Sequence, residues 1–165
     1  ADAAALVFEL KDGSLQHWSF GDVDAQATAL AADLRGRGYG RGDYIGLHTG
    51  MRPETAIAHM AICKLGAVAV TLSQLYGPDA LAHALNHCKA QCLLSVESAW
   101  SPLREQAATL LPHLKDVLVA ECAGEEVNLT TILATEAPDD FTPEYTRADD
   151  PALLMYTSGF QSNTK

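Results

Sequence analysis

Met60-Ala61-Ile62-Cys63-Lys64-Leu65-Gly66-Ala67-Val68-Ala69-Val70-Thr71-Leu72 is the stretch that decides the fold. Ile57, Met60, Ala61 and Leu65 recur at helical spacing, and Gly66 then stops the helix. Val68–Leu72 is a continuous, β-branched-rich apolar run of strand length, which is how a strand buried on both faces reads. A helix that ends in glycine and leads at once into such a strand is half of a βαβ unit.

The same alternation continues on both sides. Upstream, Gly42-Asp43 turns into a strand at Tyr44-Ile45-Gly46-Leu47, residues 48–52 form a loop, and Pro53 opens the helix. Downstream, Gly77-Pro78-Asp79 opens a helix with Leu81, Leu85 and Cys88 inward, and Cys92–Val96 is the next strand. Ser101-Pro102 predicts a helix running to about Leu111, followed by a strand at Val117–Ala120 and a last strand at Ala152–Tyr156. Near the start, Val7–Leu10 and Gln16–Trp18 flank Asp12-Gly13, a hairpin signal. Ser19-Phe20-Gly21-Asp22 has the form of a capping box ahead of the helical spacing Val23, Ala27, Leu30, Ala31, Leu34. The expected architecture is α/β: a mostly parallel sheet flanked by helices on both faces, with an N-terminal hairpin, forming one domain over 1–165.

Composition narrows the partners. The net charge of −10 excludes the basic surplus that a nucleic-acid phosphate backbone demands. The excess is local: residues 121–150 carry nine acids against Arg147 alone and are expected to form an acidic surface excursion with little regular structure beyond Leu129–Leu133. No apolar run approaches the roughly 20 residues of a membrane span. Cys63, Cys88, Cys92 and Cys122 contain no C-x-x-C pair and read as buried thiols of a reducing compartment, so a cytoplasmic location is expected. His83, His87, Cys88 and Cys92 lack zinc-site spacing; His83 and His87 (i, i+4) share one side of a helix.

The chemistry concentrates in Tyr156-Thr157-Ser158-Gly159-Phe160-Gln161-Ser162-Asn163-Thr164-Lys165. A strand that ends in a loop of hydroxyls, a glycine and a lysine suits a phosphate: backbone N–H groups and hydroxyls donate, and lysine supplies charge. Ligands of open parallel sheets bind beyond the carboxyl ends of strands. The P-loop pattern fails at Thr164, a hydrolase elbow fails at Tyr156 and Phe160, and no G-x-G-x-x-G follows the first strand. On residue types alone, a polar surface turn after a strand is the favoured reading; the place of the loop at a strand's carboxyl end moderately raises phosphate binding above it.

Taken as a set, W-S-F-G-D-V at 18–23, G-R-G-D-Y-I-G-L at 40–47, the 60–72 stretch, G-P-D-A-L at 77–81 and D-D-P-A-L-L-M-Y-T-S-G at 149–159 resemble the adenylate-forming superfamily of AMP-binding acyl-CoA synthetases, in its N-terminal part. Residues 72–81 are most similar to the acetyl-, short- and medium-chain acyl branch. The resemblance implies the N-terminal subdomain of the adenylate-forming fold and an ATP-dependent, magnesium-requiring ligase. In such a ligase a carboxylate attacks the α-phosphate to give an acyl-adenylate and pyrophosphate, and the thiol of coenzyme A then displaces AMP. The family's phosphate loop has the form [ST]-S-G-T-T-G-x-P-K. Thr157, Ser158, Gly159 and Lys165 match it and would hold the β- and γ-phosphates. Phe160, Gln161 and Ser162 replace T-T-G, and Thr164 replaces the proline, which removes two hydroxyl donors and a glycine.

No catalytic or metal-ligating residue is assigned. The adenine, ribose and magnesium motifs, the acyl pocket and the C-terminal catalytic lysine of the family find no counterpart in these 165 residues. The chain is therefore expected to be a fragment, inactive alone, with uncovered apolar surface that favours a homodimer. The alternative is a non-catalytic α/β binding module with a degenerate phosphate loop.

Overall fold

A computed structural model describes residues 2–156 of the chain. It opens with an antiparallel hairpin, β1 (Ala4–Glu9) and β2 (Leu15–Ser19). Helix α1 (Phe20–Gly36) begins on the expected capping box: Ser19 Oγ accepts from the Asp22 N–H, and the Asp22 carboxylate accepts from the Ser19 N–H at 2.8 Å. Then come β3 (Tyr44–His48), α2 (Pro53–Lys64), β4 (Val68–Thr71), α3 (Pro78–Cys88) and β5 (Cys92–Val96). Pro53 and Pro78 each occupy the first turn of their helix, where a missing N–H costs nothing. The chain continues through α4 (Glu97–Trp100), α5 (Ala107–Leu110), β6 (Asp116–Ala120), β7 (Val127–Asn128), α6 (Leu129–Leu133) and β8 (Leu153–Met155).

The six-stranded sheet is parallel throughout, in the order β7-β6-β5-β3-β4-β8. Side chains alternate between two cores, as the pleat requires. Ile45, Leu47, Cys92, Leu94 and Leu118 face α1, α2 and α6. Val70, Leu93 and Val119 face α3 and Trp100. Gly46 lies at the centre of β3, where Leu85 of α3 and Leu93 of β5 close over it.

Two expectations need correction. The helix predicted from Ser101 to Leu111 is instead a broken path: α4, a turn, a 3-10 turn at Arg104–Gln106, and α5. Helical structure starts at Glu97, so Pro102 falls inside the segment, where it removes an N–H and prevents a continuous helix. Burial of Trp100 and Leu103 then fixes the path. The cysteines are not all buried: Cys92 is, Cys88 and Cys122 are half-buried, and Cys63 is exposed on the outer side of α2.

Most of residues 121–150 are exposed. Beyond Leu129–Leu133 the stretch contributes the two-residue edge strand β7 to the sheet, and Glu121, Glu126, Glu144 and Asp150 pair with arginines from other parts of the chain. Asp150 takes the Arg41 guanidinium at 2.7 Å, Glu121 takes Arg52 at 2.8 Å, and Glu126 takes Arg104 at 2.6 Å. Arg35 also stacks over the Phe141 ring at 4.2 Å. Glu126 accepts from the Trp100 indole as well, at 2.7 Å. The Arg104 guanidinium, helped by that indole, pulls the Glu126 carboxyl from 4.5 down to about 2. A depressed carboxyl stabilises the fold above its unfolded pKa and loses that contribution as pH falls toward the folded value. Glu126→Gln should therefore flatten the fall in thermal midpoint between about pH 4.5 and 2. A midpoint curve unchanged in that window would contradict the pairing.

Candidate functional site

Strand order locates the site. The chain passes from β3 rightward to β4 and then crosses back to β5 on the other side of β3. Loops leaving β3 and β5 therefore diverge, and the crevice at their carboxyl ends is the topological switch point where such sheets bind ligands. The three buried polar residues of the described chain, His48, Thr49 and Ser95, all lie there. His48 and Ser95 are register partners, and the Ser95 hydroxyl donates to the His48 carbonyl at 3.4 Å.

Each polar group at this end has a definable state. His48 Nε2 lies 3.1 Å from the Ser73 carbonyl, which can only accept, so Nε2 carries the proton. Its Nδ1 is then a bare acceptor, buried with no hydrogen-bond partner among the described residues. Burial pushes the His48 pKa down and keeps the ring neutral at pH 7. Thr55 Oγ1 donates to the Gly50 carbonyl at 2.6 Å, so the 2.7 Å contact between the two threonines is made by the Thr49 hydroxyl proton. Gly50 sits at φ +71°, and any Cβ there would run into the Gln74 side chain. Gln74 Nε2 in turn donates to the Thr49 carbonyl at 3.1 Å. The β3 and β4 exits are thus locked to one another.

β8 pairs with β4 through Ala69↔Leu153, Val70↔Leu154 and Thr71↔Met155. Because the pairing is parallel, Tyr156 leaves β8 at this same carboxyl end. Thr157, Ser158, Gly159 and Lys165 follow it in sequence and lie outside the described residues, as do Phe160, Gln161 and Ser162.

The electrostatics are restrained. Arg52, after β3, is held by both Glu54 and Glu121. Arg104, after β5, is held by both Glu97 and Glu126. Neither offers unpaired positive charge to an anion. Among the described residues no cluster of three or more His, Cys, Asp or Glu could hold a metal ion. The buried polar group of β3 and β5 was not singled out from sequence. Its signal was present: His48-Thr49 ends the run Ile45-Gly46-Leu47, and Ser95 interrupts Leu93-Leu94 and Val96.

The family model for AMP-binding enzymes matches residues 1–165. The chain belongs to the AMP-binding enzyme family. Curated relatives of this AMP-binding chain include an acetyl-coenzyme A synthetase of Pseudoalteromonas atlantica, 28% identical over 160 residues, covering 85% of this chain and 24% of the relative. Another, from Rhodobacter capsulatus, is 26% identical over 179 residues, covering 98% and 27%. The chain thus spans about a quarter of the length of the curated relatives it matches. Among solved structures, the anthranilate CoA ligase AuaEII in complex with anthranoyl-AMP superposes with a TM-score of 0.79 at 26% identity, over 87% of this chain and 27% of that one. Acetoacetyl-CoA synthetase from Streptomyces lividans shares the fold with a TM-score of 0.85 at 20% identity, over 96% and 26%. The parallel sheet with its N-terminal hairpin is therefore the N-terminal subdomain architecture of the adenylate-forming fold. No helix among the described residues is long and apolar enough to cross a membrane.

Proposed function

We propose that this chain is the polyphosphate-holding part of an AMP-forming acid–thiol ligase. That ligase activates a carboxylate as its acyl-adenylate and passes it to coenzyme A. The observation that carries the reading is the exit of Tyr156 at the carboxyl end of a parallel sheet, immediately before Thr157-Ser158-Gly159. Hydroxyls, backbone amides and an ammonium form a donor set that fits the β- and γ-phosphates of ATP and does not fit a cation. With Arg52 and Arg104 both committed to carboxylates, Lys165 is left to supply the charge. Magnesium and coenzyme A belong to the parent reaction. Matching only a quarter of its relatives' length, the chain alone is expected to bind ATP without turnover. The four free cysteines fit a cytoplasmic protein.

Lys165→Met should weaken MgATP binding about tenfold, since one charge-assisted hydrogen bond is worth roughly 1.5–3 kcal/mol. Calorimetric titration of both proteins reads this directly. Equal affinities would remove Lys165 from the site.

A second reading rests on Phe160-Gln161-Ser162. Where the family has T-T-G, these residues would give a non-catalytic module that has lost its grip on phosphate.

A further inference from the structure

The end of β8 is tied to α3 as well as to the sheet. β8 is three residues long and pairs with β4 alone among the described strands, so few backbone bonds fix its end. Side chains do the rest. The Tyr156 hydroxyl lies 2.9 Å from the Ala84 carbonyl and 2.9 Å from His87 Nδ1. A phenol has one proton, and a carbonyl can only accept, so that proton goes to Ala84. His87 Nδ1 must then be the donor, and Tyr156 Oη the acceptor. The two rings meet edge to face, 5.8 Å between centroids at 81°, and His83 stacks on His87 at 6.2 Å. Tyr76 donates to the Tyr156 carbonyl at 3.4 Å. Burial pushes the Tyr156 phenol up to about 12, so its proton stays in place across the ordinary pH range.

We propose that His87 is a positioning residue for the polyphosphate: its Nδ1–H fixes the Tyr156 hydroxyl and so sets the point from which Thr157-Ser158-Gly159 departs. This rests on the ATP reading above. His87 itself touches no substrate; it acts through Tyr156. Its exposed position means that replacing it removes little buried surface.

The test compares the whole chain with His87→Ala and His87→Asn. The asparagine amide nitrogen stands about where Nδ1 stands and restores a donor. Two quantities are read on each protein: hydrogen exchange of the Leu154 and Tyr156 amides, and the affinity for MgATP. We expect about tenfold faster exchange and several-fold weaker binding in His87→Ala, both largely restored in His87→Asn, with little change in thermal midpoint. Exchange unchanged in His87→Ala overturns the proposal. Equal impairment in both variants also overturns it, because the donor would then not be what matters. If the exchange pattern holds but the wild-type chain binds no ATP, the hold on β8 stands and the polyphosphate reading is what fails.

Discussion

Gly46→Val should lower the unfolding free energy by about 3 kcal/mol, the upper end of the usual cost of overpacking a core. Gly46 lies on β3, flanked by β4 and β5, at the middle of the sheet. A Cβ there would stand 2.8 Å from Leu85 Cδ2 and 2.9 Å from Leu93 Cδ1, closer than carbon atoms tolerate. Leu85 and Leu93 are themselves fully buried, on α3 and β5, so neither can retreat without opening a void elsewhere. Valine adds two further methyl groups to that clash. The glycine is therefore a packing requirement, set by how closely α3 approaches the sheet. Urea denaturation should show the midpoint falling with the slope unchanged. Adding Leu85→Ala should recover part of the loss, because the two sites share one space. A loss below about 1 kcal/mol would mean that α3 does not press on β3 as described.

Restoring the family's loop, Phe160→Thr with Gln161→Thr and Ser162→Gly, should tighten MgATP binding at least tenfold. Two hydroxyl donors to a charged acceptor are each worth roughly 1.5 kcal/mol or more, and glycine frees the backbone to turn its N–H groups toward the phosphates. The thermal midpoint, read alongside, separates a change in binding from a change in folding. This experiment separates the two readings of the chain. A wild-type chain that binds measurably, and binds better when restored, is a ligase part with a weakened loop. A wild type with no affinity, rescued by restoration, is a module that has lost its ligand. No affinity in either would remove the loop from phosphate binding altogether.

Much of the fold was legible because this chain punctuates its elements strongly. Gly66 follows the end of α2, Pro53 and Pro78 open α2 and α3, and Ser19 with Asp22 caps α1. Continuous apolar runs such as Val68–Thr71 and Cys92–Val96 named the buried strands. What failed depended on contacts distant in sequence. The 101–111 segment was read from Pro102 as a helix start, whereas burial of Trp100 and the Arg104 ties to Glu97 and Glu126 set its path. β7 is two residues long and exists only because β6 offers it an edge. Nothing local reveals that Glu121 meets Arg52, 69 residues away.

The site divided similarly. Local pattern and resemblance named Thr157, Ser158, Gly159 and Lys165. The buried His48, Thr49 and Ser95 group and the His87–Tyr156 contact needed the strand order and the α3 packing to become visible.

The most direct measurement is phosphorus NMR of MgATP titrated with the chain. Holding the nucleotide by its β- and γ-phosphates predicts that those two resonances shift and broaden first, that the α-resonance follows weakly, and that Lys165→Met moves the same changes to about tenfold higher protein. Unchanged β- and γ-resonances at millimolar protein, or changes confined to the α-phosphate and the base protons, would contradict it.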